Sequence, residues 1–262
     1  MSINCYERYR SLLNLRSEPG LESFVAEETL YSTIEFSMKF QKIEDQFVVN
    51  PQRYSIWKYK FDPSADTQFL QRGYKCIREL ASGTAAENQI SMLEHPPQSF
   101  PNAEFRYYAF GMEFSTQRER TRLKTYTGYQ TTKRPKLPFI IRDEVNLNGQ
   151  PKRVKYDGFP TVDPRVPILL GESAYILKQA PFLYCVYFES GRVHFKSEPT
   201  ATHLALDLVK SLTNLAPALI SRLTTLLDSN FQIEVVTFVK AELEAKKIQT
   251  FTIYLRDRNW HR

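Results

Sequence analysis

The sequence is short of cysteine, of glycine and of long apolar runs, and these shortages exclude several classes of protein. Its three cysteines, Cys5, Cys76 and Cys185, are far apart and form no CxxC pair, so we expect a reduced, cytoplasmic protein rather than a disulfide scaffold. No apolar run approaches the ~20 residues of a membrane helix, and the first residues lack the apolar core of a signal peptide. Neither export nor a membrane span is therefore expected.

Several motifs that mark common enzymes and metal proteins are also missing. The sequence contains no GxGxxG, no Walker motif and no GxSxG. His95, His203 and His261 have no ligand spacing with one another or with the cysteines. The sequence therefore predicts no metal site.

Aromatic and basic residues are abundant by contrast. Fifteen Tyr and eighteen Phe suit strands that surround an aromatic-lined interior. A net charge of +6 favours an anionic partner, which could be nucleic acid, an acidic membrane surface or a phosphorylated small molecule. The length of 262 residues, without a low-complexity linker, predicts a single domain over residues 1–262.

The central stretch runs from Phe105 to Tyr129 and predicts a β-hairpin with a charged turn. In its second strand Arg122, Lys124 and Tyr126 alternate with residues of the opposite face, so two cations and a phenol form one row. On an exposed edge such a row is simply solvated. Inside a closed barrel it becomes an anion-binding surface.

The rest of the chain alternates hairpins with helices. Helices are predicted over residues 3–16 and 20–30, from a cap at Asp62-Pro63-Ser64, over 164–180, and over 201–228 with a break at Pro217. The other hairpins are STIEFSMKF with RYSIWKYKF, the pair turned at Asn148-Gly149, PFLYCVYFESGRVHFK, and FQIEVVTF with TFTIYLR around the helix-like KAELEAKK. This order predicts an α+β barrel of about ten antiparallel strands around a polar and aromatic lumen, with an outer ring of helices.

In such a barrel the polar residues of each strand face the lumen. The inward set is Glu35, Lys39, Arg53, Glu113, Lys124, Tyr126, Arg192, His194, Tyr254 and Arg256. Cations surrounded by tyrosines and a few acids suit a diphosphate and the reacting end of a second substrate.

Four stretches resemble the cyanobactin peptide prenyltransferases, a branch of the ABBA prenyltransferases. They are STIEFSMK, AFGMEF followed by RLKTY, LKQAPFLYCVYFESGRVHF, and KAELEAKKIQTFTIYLR. The resemblance covers most of the chain from residue 20 onward and implies the αββα-repeat barrel of that family. It implies transfer of a dimethylallyl (C5) group from dimethylallyl diphosphate to Tyr, Trp or Arg of a cyclic or linear ribosomal peptide. Nucleic acid and membranes are not expected partners.

The resemblance also implies roles for single residues. It implies that Glu35 lies beside the acceptor side chain of the peptide and takes its proton. It also implies that the diphosphate is bound by Lys124, Arg53, Tyr126, Arg192, His194 and Tyr254. Tyr184 falls where family members that use a short isoprenyl donor carry a bulky aromatic residue that closes the isoprenyl pocket. Gly128 stands where the family often has an Arg. No tightly bound cofactor is implied, and without a DDxxD motif metal-bridged diphosphate is not expected, although assistance by free Mg²⁺ stays open.

The inward pattern adds further candidates and leaves alternatives open. Arg122 and Arg256 are added for the diphosphate, Trp57 for the isoprenyl pocket, and Glu113 and Glu234 for a guanidinium acceptor. Glu35 also fits an ion pair with Lys39, Lys124 and Arg122 fit solvated edge charges, and His194 fits a structural role. A single-stranded nucleic-acid-binding protein with basic aromatic strands is one rival function. A noncatalytic barrel for a hydrophobic ligand is another.

Overall fold

The computed structural model describes residues 2–26, 32–95, 99–132, 138–157, 192–196 and 202–258, which form helices and β-strands. The α-helices are α1 Ser2–Leu13, α2 Pro19–Ala26, α3 Thr67–Ala81, α4 Thr202–Leu212, α5 Pro217–Asp228 and α6 Lys240–Glu244. The strands are β1 Ser32–Ile43, β2 Gln46–Tyr59, β3 Ala103–Glu113, β4 Arg122–Thr131, β5 Pro138–Asn146, β6 Pro151–Asp157, β7 Arg192–Lys196, β8 Phe231–Val239 and β9 Thr250–Asp257. Short 3₁₀-helices span Ala85–Met92 and Arg118–Arg120. Among these described helices, none combines the length and the apolar character that crossing a membrane requires.

The nine described strands form one sheet. Their order is β6-β5-β4-β3-β2-β1-β9-β8-β7. The pairs β2–β3, β3–β4, β4–β5, β7–β8 and β8–β9 are antiparallel. Consecutive strands are neighbours in the sheet from β1 to β6 and from β7 to β9, as short hairpin connections require, and β1 lies beside β9.

The described residues divide into two compact units. The first unit contains the chain up to Glu35 and from Gln52 to Tyr156, and the second contains Phe36–Pro51 and the chain from Asp157 onward. The expectation of one domain over residues 1–262 stays a prediction.

In the first unit, helices cover the apolar face of the sheet. Phe110 of β3 is fully buried against Phe24 of α2 and Phe69 of α3, with ring centroids 5.4 and 5.5 Å apart. Tyr54 of β2 packs against Tyr6 of α1 at 5.5 Å. Burying one such large side chain stabilises the fold by about 1.5–3 kcal/mol. Because successive strand residues point to opposite faces, the residues that alternate with Phe110 and Tyr54 lie on the other face of the sheet, and they include charged and aromatic side chains.

The second unit has an aromatic core of its own. Phe40 of β1 stacks on Phe251 of β9 with centroids 4.4 Å apart. In β8 both Ile233 and Val236 are fully buried, although a regular alternation would place them on opposite faces of the sheet. The register against β9 shifts between Ile233 and Val235, so Glu234 is the extra residue of a β-bulge.

The predicted α+β character and most hairpins are confirmed. The strands of the central hairpin pair as β3 and β4, and Gly149 takes the left-handed φ of +83° in the β5–β6 turn. Pro217 begins α5, as proline does at the first position of a helix. The closed barrel with its lumen stays a prediction.

The predicted start of α3 was wrong. Asp62, Pro63 and Ser64 form a separate turn, in which the Asp62 carboxylate accepts a hydrogen bond from the Ser64 N–H at 2.9 Å, and α3 begins only at Thr67. Asp-Pro-Ser is a good turn sequence as well as a good cap, and here the turn prevails. The helix predicted over 164–180, the first strand of the fourth hairpin, and Tyr184 lie outside the described residues.

Candidate functional site

In the first unit, neighbouring strands place charged side chains opposite one another. Arg53 of β2 lies opposite Glu113 of β3, which lies opposite Arg122 of β4. We call such a row across the strands a rung. Two residues further along β4, Lys124 lies opposite Glu144 of β5. Alternate residues of a strand share a face, so the two rungs lie on one face of the sheet.

Lys124 is at the centre of these charges. Its side chain is only 5% exposed, and its Nζ donates a hydrogen bond to Glu113 Oε2 at 2.7 Å. Arg53 Nε lies 3.4 Å from the same Glu113 oxygen. Glu113, predicted as an acceptor-binding residue, is therefore shared by two cations of the chain itself.

Two residues of β5 complete the group and were missed in the sequence. Glu144 Oε1 lies 3.6 Å from Arg122 Nη1, and Glu144 Oε2 lies 3.8 Å from Lys124 Nζ and 3.5 Å from Arg142 Nε. Arg142 and Glu144 alternate in the predicted strand LPFIIRDEVN, which was the only available signal. We call Arg53, Arg122, Lys124, Arg142, Glu113 and Glu144 the charge cluster.

Burial and charge act together on the protonation of this cluster. Burial on its own would raise the pKa of Glu113, but the charges of Lys124 and Arg53 outweigh it and hold that pKa well below its ordinary value. Burial lowers the pKa of Lys124 to about 8, against the opposing attraction of Glu113. Both groups are charged at neutral pH. Four cations and two carboxylates then leave the cluster with an excess of positive charge.

Aromatic rings occupy the next rungs of the same face. Trp57 lies opposite Ala109, which lies opposite Tyr126, and the Trp57 and Tyr126 rings stack 5.6 Å apart. Tyr107 meets Trp57 edge-on at 5.2 Å and Tyr59 at 6.0 Å. We call Trp57, Tyr59, Tyr107 and Tyr126 the aromatic cluster.

Two glycines let the tyrosines lie across the strands. A Cβ at Gly128 would lie 2.2 Å from the Tyr107 ring, and a Cβ at Gly111 would lie 2.8 Å from the Tyr126 ring. Any other residue at Gly128 would have to displace the phenol ring. Gly128, which departs from the resembled family, thus has a structural role in this chain.

The second unit contains a separate group of predicted site residues. The bulged Glu234 pairs with the buried Arg256, with Oε2 and Nη2 2.5 Å apart. His194 Nδ1 lies 3.0 Å from Thr237 Oγ1. Burial, with a smaller contribution from the charge of Arg192, lowers the pKa of His194 to about 4. His194 is therefore neutral at pH 7 and can offer an anion a hydrogen bond but no charge.

The remaining predicted residues have simpler placements. Glu35 is buried in β1, with 7% of its surface exposed. Tyr254 is partly buried on β9, two residues before Arg256 and hence on the same face. Within the described part of the chain, no group of three or more His, Cys, Asp or Glu side chains is placed to hold a metal ion.

No protein-family model matches the chain, and a search of curated proteins finds no match. Membership of the cyanobactin peptide prenyltransferases stays a prediction, and the function is argued from the site.

The site combines two chemical properties on one surface. The charge cluster can bind an anion through charge-assisted hydrogen bonds in a setting that excludes most water. The aromatic cluster, on the adjacent rungs, can hold an apolar group or stabilise a cation on its π-faces. A ligand with an anionic head and an apolar, ionisable tail would use both.

Proposed function

We propose that this chain transfers a dimethylallyl group from dimethylallyl diphosphate to a side chain of a ribosomal, macrocyclic peptide. The observation that carries the proposal is the adjacency of the charge cluster and the aromatic cluster on one face of the sheet. A diphosphate leaving group needs fixed cations, and an allylic cation needs π-faces that stabilise it without attacking it.

The proposed reaction uses each part of the site. The C–O bond of the donor breaks, and its electron pair leaves with the diphosphate, which Arg53, Arg122 and Lys124 stabilise. Trp57 and Tyr126 flank the allylic cation. The acceptor side chain attacks this cation, and the proton it loses passes to Glu35.

The proposal includes the ABBA-type barrel. Its support is the two-faced character of the strands, which are apolar towards the helices and polar on the other side, as a barrel with a polar and aromatic lumen requires. Arg192, His194, Tyr254 and Arg256 stay predicted diphosphate-binding residues.

The contacts of the acids favour an aromatic acceptor over arginine. Glu113 is shared by Lys124 and Arg53, and Glu234 is paired with Arg256. Carboxylates that already neutralise cations of the chain are weak ligands for a guanidinium substrate. We therefore propose Tyr or Trp as the acceptor, with Arg as the second candidate.

Mass spectrometry of the protein mixed with dimethylallyl diphosphate and cyclic peptides containing Tyr, Trp or Arg tests the function. We expect a mass increase of one dimethylallyl group on the Tyr or Trp peptide, whether or not Arg is present. Modification of the Arg peptide alone would overturn the aromatic assignment. No modification of any peptide would count against the transferase itself.

The burial of the cations weighs against the nucleic-acid alternative. A protein that binds single strands presents its cations and rings to solvent, whereas Lys124 is almost completely buried. A salt titration separates the two, because nucleic-acid affinity falls steeply with salt. The two charged rungs weigh against the other alternative, because a noncatalytic barrel that only holds a hydrophobic ligand has no use for them.

We expect the C5 donor to be preferred over the C10 geranyl donor. The resemblance implies that Tyr184, which lies outside the described residues, closes the isoprenyl pocket, and the inward pattern adds Trp57 to that pocket. Competition between dimethylallyl and geranyl diphosphate measures the preference, and Tyr184→Gly should shift it towards geranyl. An unchanged preference in this variant would show that another residue closes the pocket.

Anion binding should weaken as the pH rises through about 8. Lys124 loses its proton above that pH, so the affinity for inorganic pyrophosphate should fall by up to about tenfold per pH unit. Ionisation of the ligand acts in the opposite direction. Calorimetric titration from pH 6.5 to 9.5 measures the effect, and Lys124→Met serves as the control in which the decline is absent. A constant affinity across this range would contradict the prediction.

A further inference from the structure

The second unit contains a pocket that the proposed reaction does not use. Its volume is about 420 Å³, and its walls are the end of α4, the turn between α6 and β9, and the tip of the β1–β2 hairpin. All three walls belong to the same unit. We call this cavity the lysine pocket, and its lining includes Lys42, Phe47, Thr213, Lys246, Lys247 and Ile248. A cavity of this size holds a small molecule or a short stretch of peptide.

The charges around the lysine pocket are mainly positive. Its described lining has three lysines and a single acid, namely Lys42, Lys246, Lys247 and Asp45. Asp45 lies 3.6 Å from Lys42, but its side chain is fully exposed, so this ion pair is weak and a ligand can compete with it. The pocket therefore carries an excess of positive charge that suits an anionic ligand.

Hydrogen bonds to the backbone hold two of these walls together. The carboxylate of Glu242 accepts hydrogen bonds from the N–H groups of Gln249 and Thr250 at 2.6 and 2.8 Å, which fixes the turn after α6. The Lys42 N–H donates to the Gln249 carbonyl at 2.7 Å, and this bond ties the hairpin to the same turn. The walls are thus positioned before a ligand arrives, which lowers the entropic cost of binding.

Lys246 has a backbone conformation that favours glycine. Its φ is +51°, in the left-handed region. The Lys246 N–H donates to the Leu243 carbonyl, and the Lys247 N–H donates to the Glu242 carbonyl, so the turn closes α6 as a Schellman motif. Glycine is the usual residue at this position of the motif, because a side chain there strains the backbone. Such strain is typical of positions where the side chain has a function.

The other polar groups of the lysine pocket favour a peptide over a compact anion such as phosphate. α4 and α6 both end at the pocket, so carbonyl groups with partial negative charge border it, whereas phosphate is typically bound at the opposite end of a helix. Thr213 Oγ1 donates its proton to the Val209 carbonyl at 2.6 Å, and Ser211 Oγ donates to the Leu208 carbonyl at 2.9 Å. Both hydroxyl oxygens can therefore only accept hydrogen bonds from a ligand. A peptide supplies carboxylates for the lysines and N–H groups for these oxygens.

We propose that the lysine pocket binds an acidic peptide segment with at least two carboxylates and one apolar side chain. The carboxylates pair with Lys42, Lys246 and Lys247. The apolar side chain packs on Phe47 and Ile248, which are largely buried and still line the pocket. Binding of this kind needs neither the isoprenyl donor nor prenyl transfer, so it is a second function of the chain.

Fluorescence anisotropy with a fluorescein-labelled peptide that contains Glu-Leu-Glu-Glu tests the proposal. The wild-type protein should bind this peptide with a Kd of about 10–100 µM. The same peptide with Gln in place of every Glu should bind at least about tenfold more weakly, because it offers the lysines no charge. Replacement of its leucine by serine should weaken binding by about threefold or more, because the contact with the apolar lining is lost.

Lys246→Gly separates binding from folding, because it removes the ammonium group and also relieves the backbone. Its affinity for the peptide should fall by about threefold or more, while its thermal stability stays at the wild-type value or rises. Lys42→Gln should weaken binding by a similar factor. Lys240→Gln is the matched control, because Lys240 is 30% exposed and pairs with Glu244 at 3.5 Å, much as the 28% exposed Lys42 pairs within its own turn, but lies outside the lining. This control should bind the peptide as the wild type does.

Each outcome supports or overturns the proposal. Absence of peptide binding by the wild type up to about 1 mM would overturn it, and so would affinities of Lys246→Gly and Lys42→Gln within about twofold of the control. Displacement of the peptide by inorganic phosphate at a lower concentration than by unlabelled peptide would assign the pocket to a phosphorylated small molecule instead. Because these titrations contain no isoprenyl donor, a failure of the proposed prenyl transfer would leave the peptide site unaffected.

Discussion

Lys124→Met should lower the rate of prenyl transfer by about two orders of magnitude, which corresponds to about 2–4 kcal/mol of transition-state stabilisation. The reason is the position of its ammonium group, which is buried at the centre of the charge cluster and contacts both glutamates. Methionine keeps most of the length of the side chain and removes only the charge. Steady-state turnover with dimethylallyl diphosphate and a saturating peptide measures the effect.

Lys58→Met provides the control for this result. Lys58 is also buried and also ion-paired, with its Nζ 3.3 Å from Asp66 Oδ1. It lies opposite Tyr108 on the face of the sheet that the helices cover. Both variants lose a buried ion pair and some stability, but only Lys124→Met should lose activity. Turnover by Lys124→Met within about twofold of the control would remove Lys124 from the site.

Glu35→Gln should lower turnover by about 10²- to 10⁴-fold, the usual contribution of a positioned proton acceptor. Glutamine keeps the shape of the buried side chain and can still accept a hydrogen bond, but it cannot take the proton of a phenol or an indole. Pyrophosphate affinity should stay at the wild-type value, because Glu35 does not belong to the charge cluster. Rapid-quench measurement of a single turnover separates this chemical step from product release.

Lys39→Gln distinguishes this role from the alternative of a structural ion pair. If Glu35 only pairs with Lys39, the two variants should lose the same thermal stability and have the same small effect on turnover. We expect instead that Glu35→Gln is nearly inactive and that Lys39→Gln keeps most of its activity. Equal effects of the two changes would contradict the role of Glu35.

The alternation of residues in β4 was enough to predict the row of Arg122, Lys124 and Tyr126, because a period of two fixes which side chains share a face. The partners across the strands were not predictable in the same way. Arg142 and Glu144 stand in a predicted strand, but which of its residues lie opposite Lys124 depends on the register. A slip of one residue would have turned both away from the cluster.

The bulge at Glu234 shows a second limit of sequence reasoning. Its apolar neighbours read as one continuous run, and the sequence gives no sign that the pairing shifts there. A buried acid in such a run is costly unless it is paired, and Arg256 is the partner of Glu234. The face of the sheet on which Glu234 lies depends on the bulge, and the bulge is seen only in the structure.

The contact between Gly128 and Tyr107 makes two positions on adjacent strands depend on each other. An arginine at position 128, the choice common in the resembled family, would strike the phenol ring that now fills that space. The two positions are therefore coupled sterically. A larger residue at position 128 requires that the Tyr107 ring move or be replaced, and a smaller residue at position 107 leaves a cavity beside Gly128.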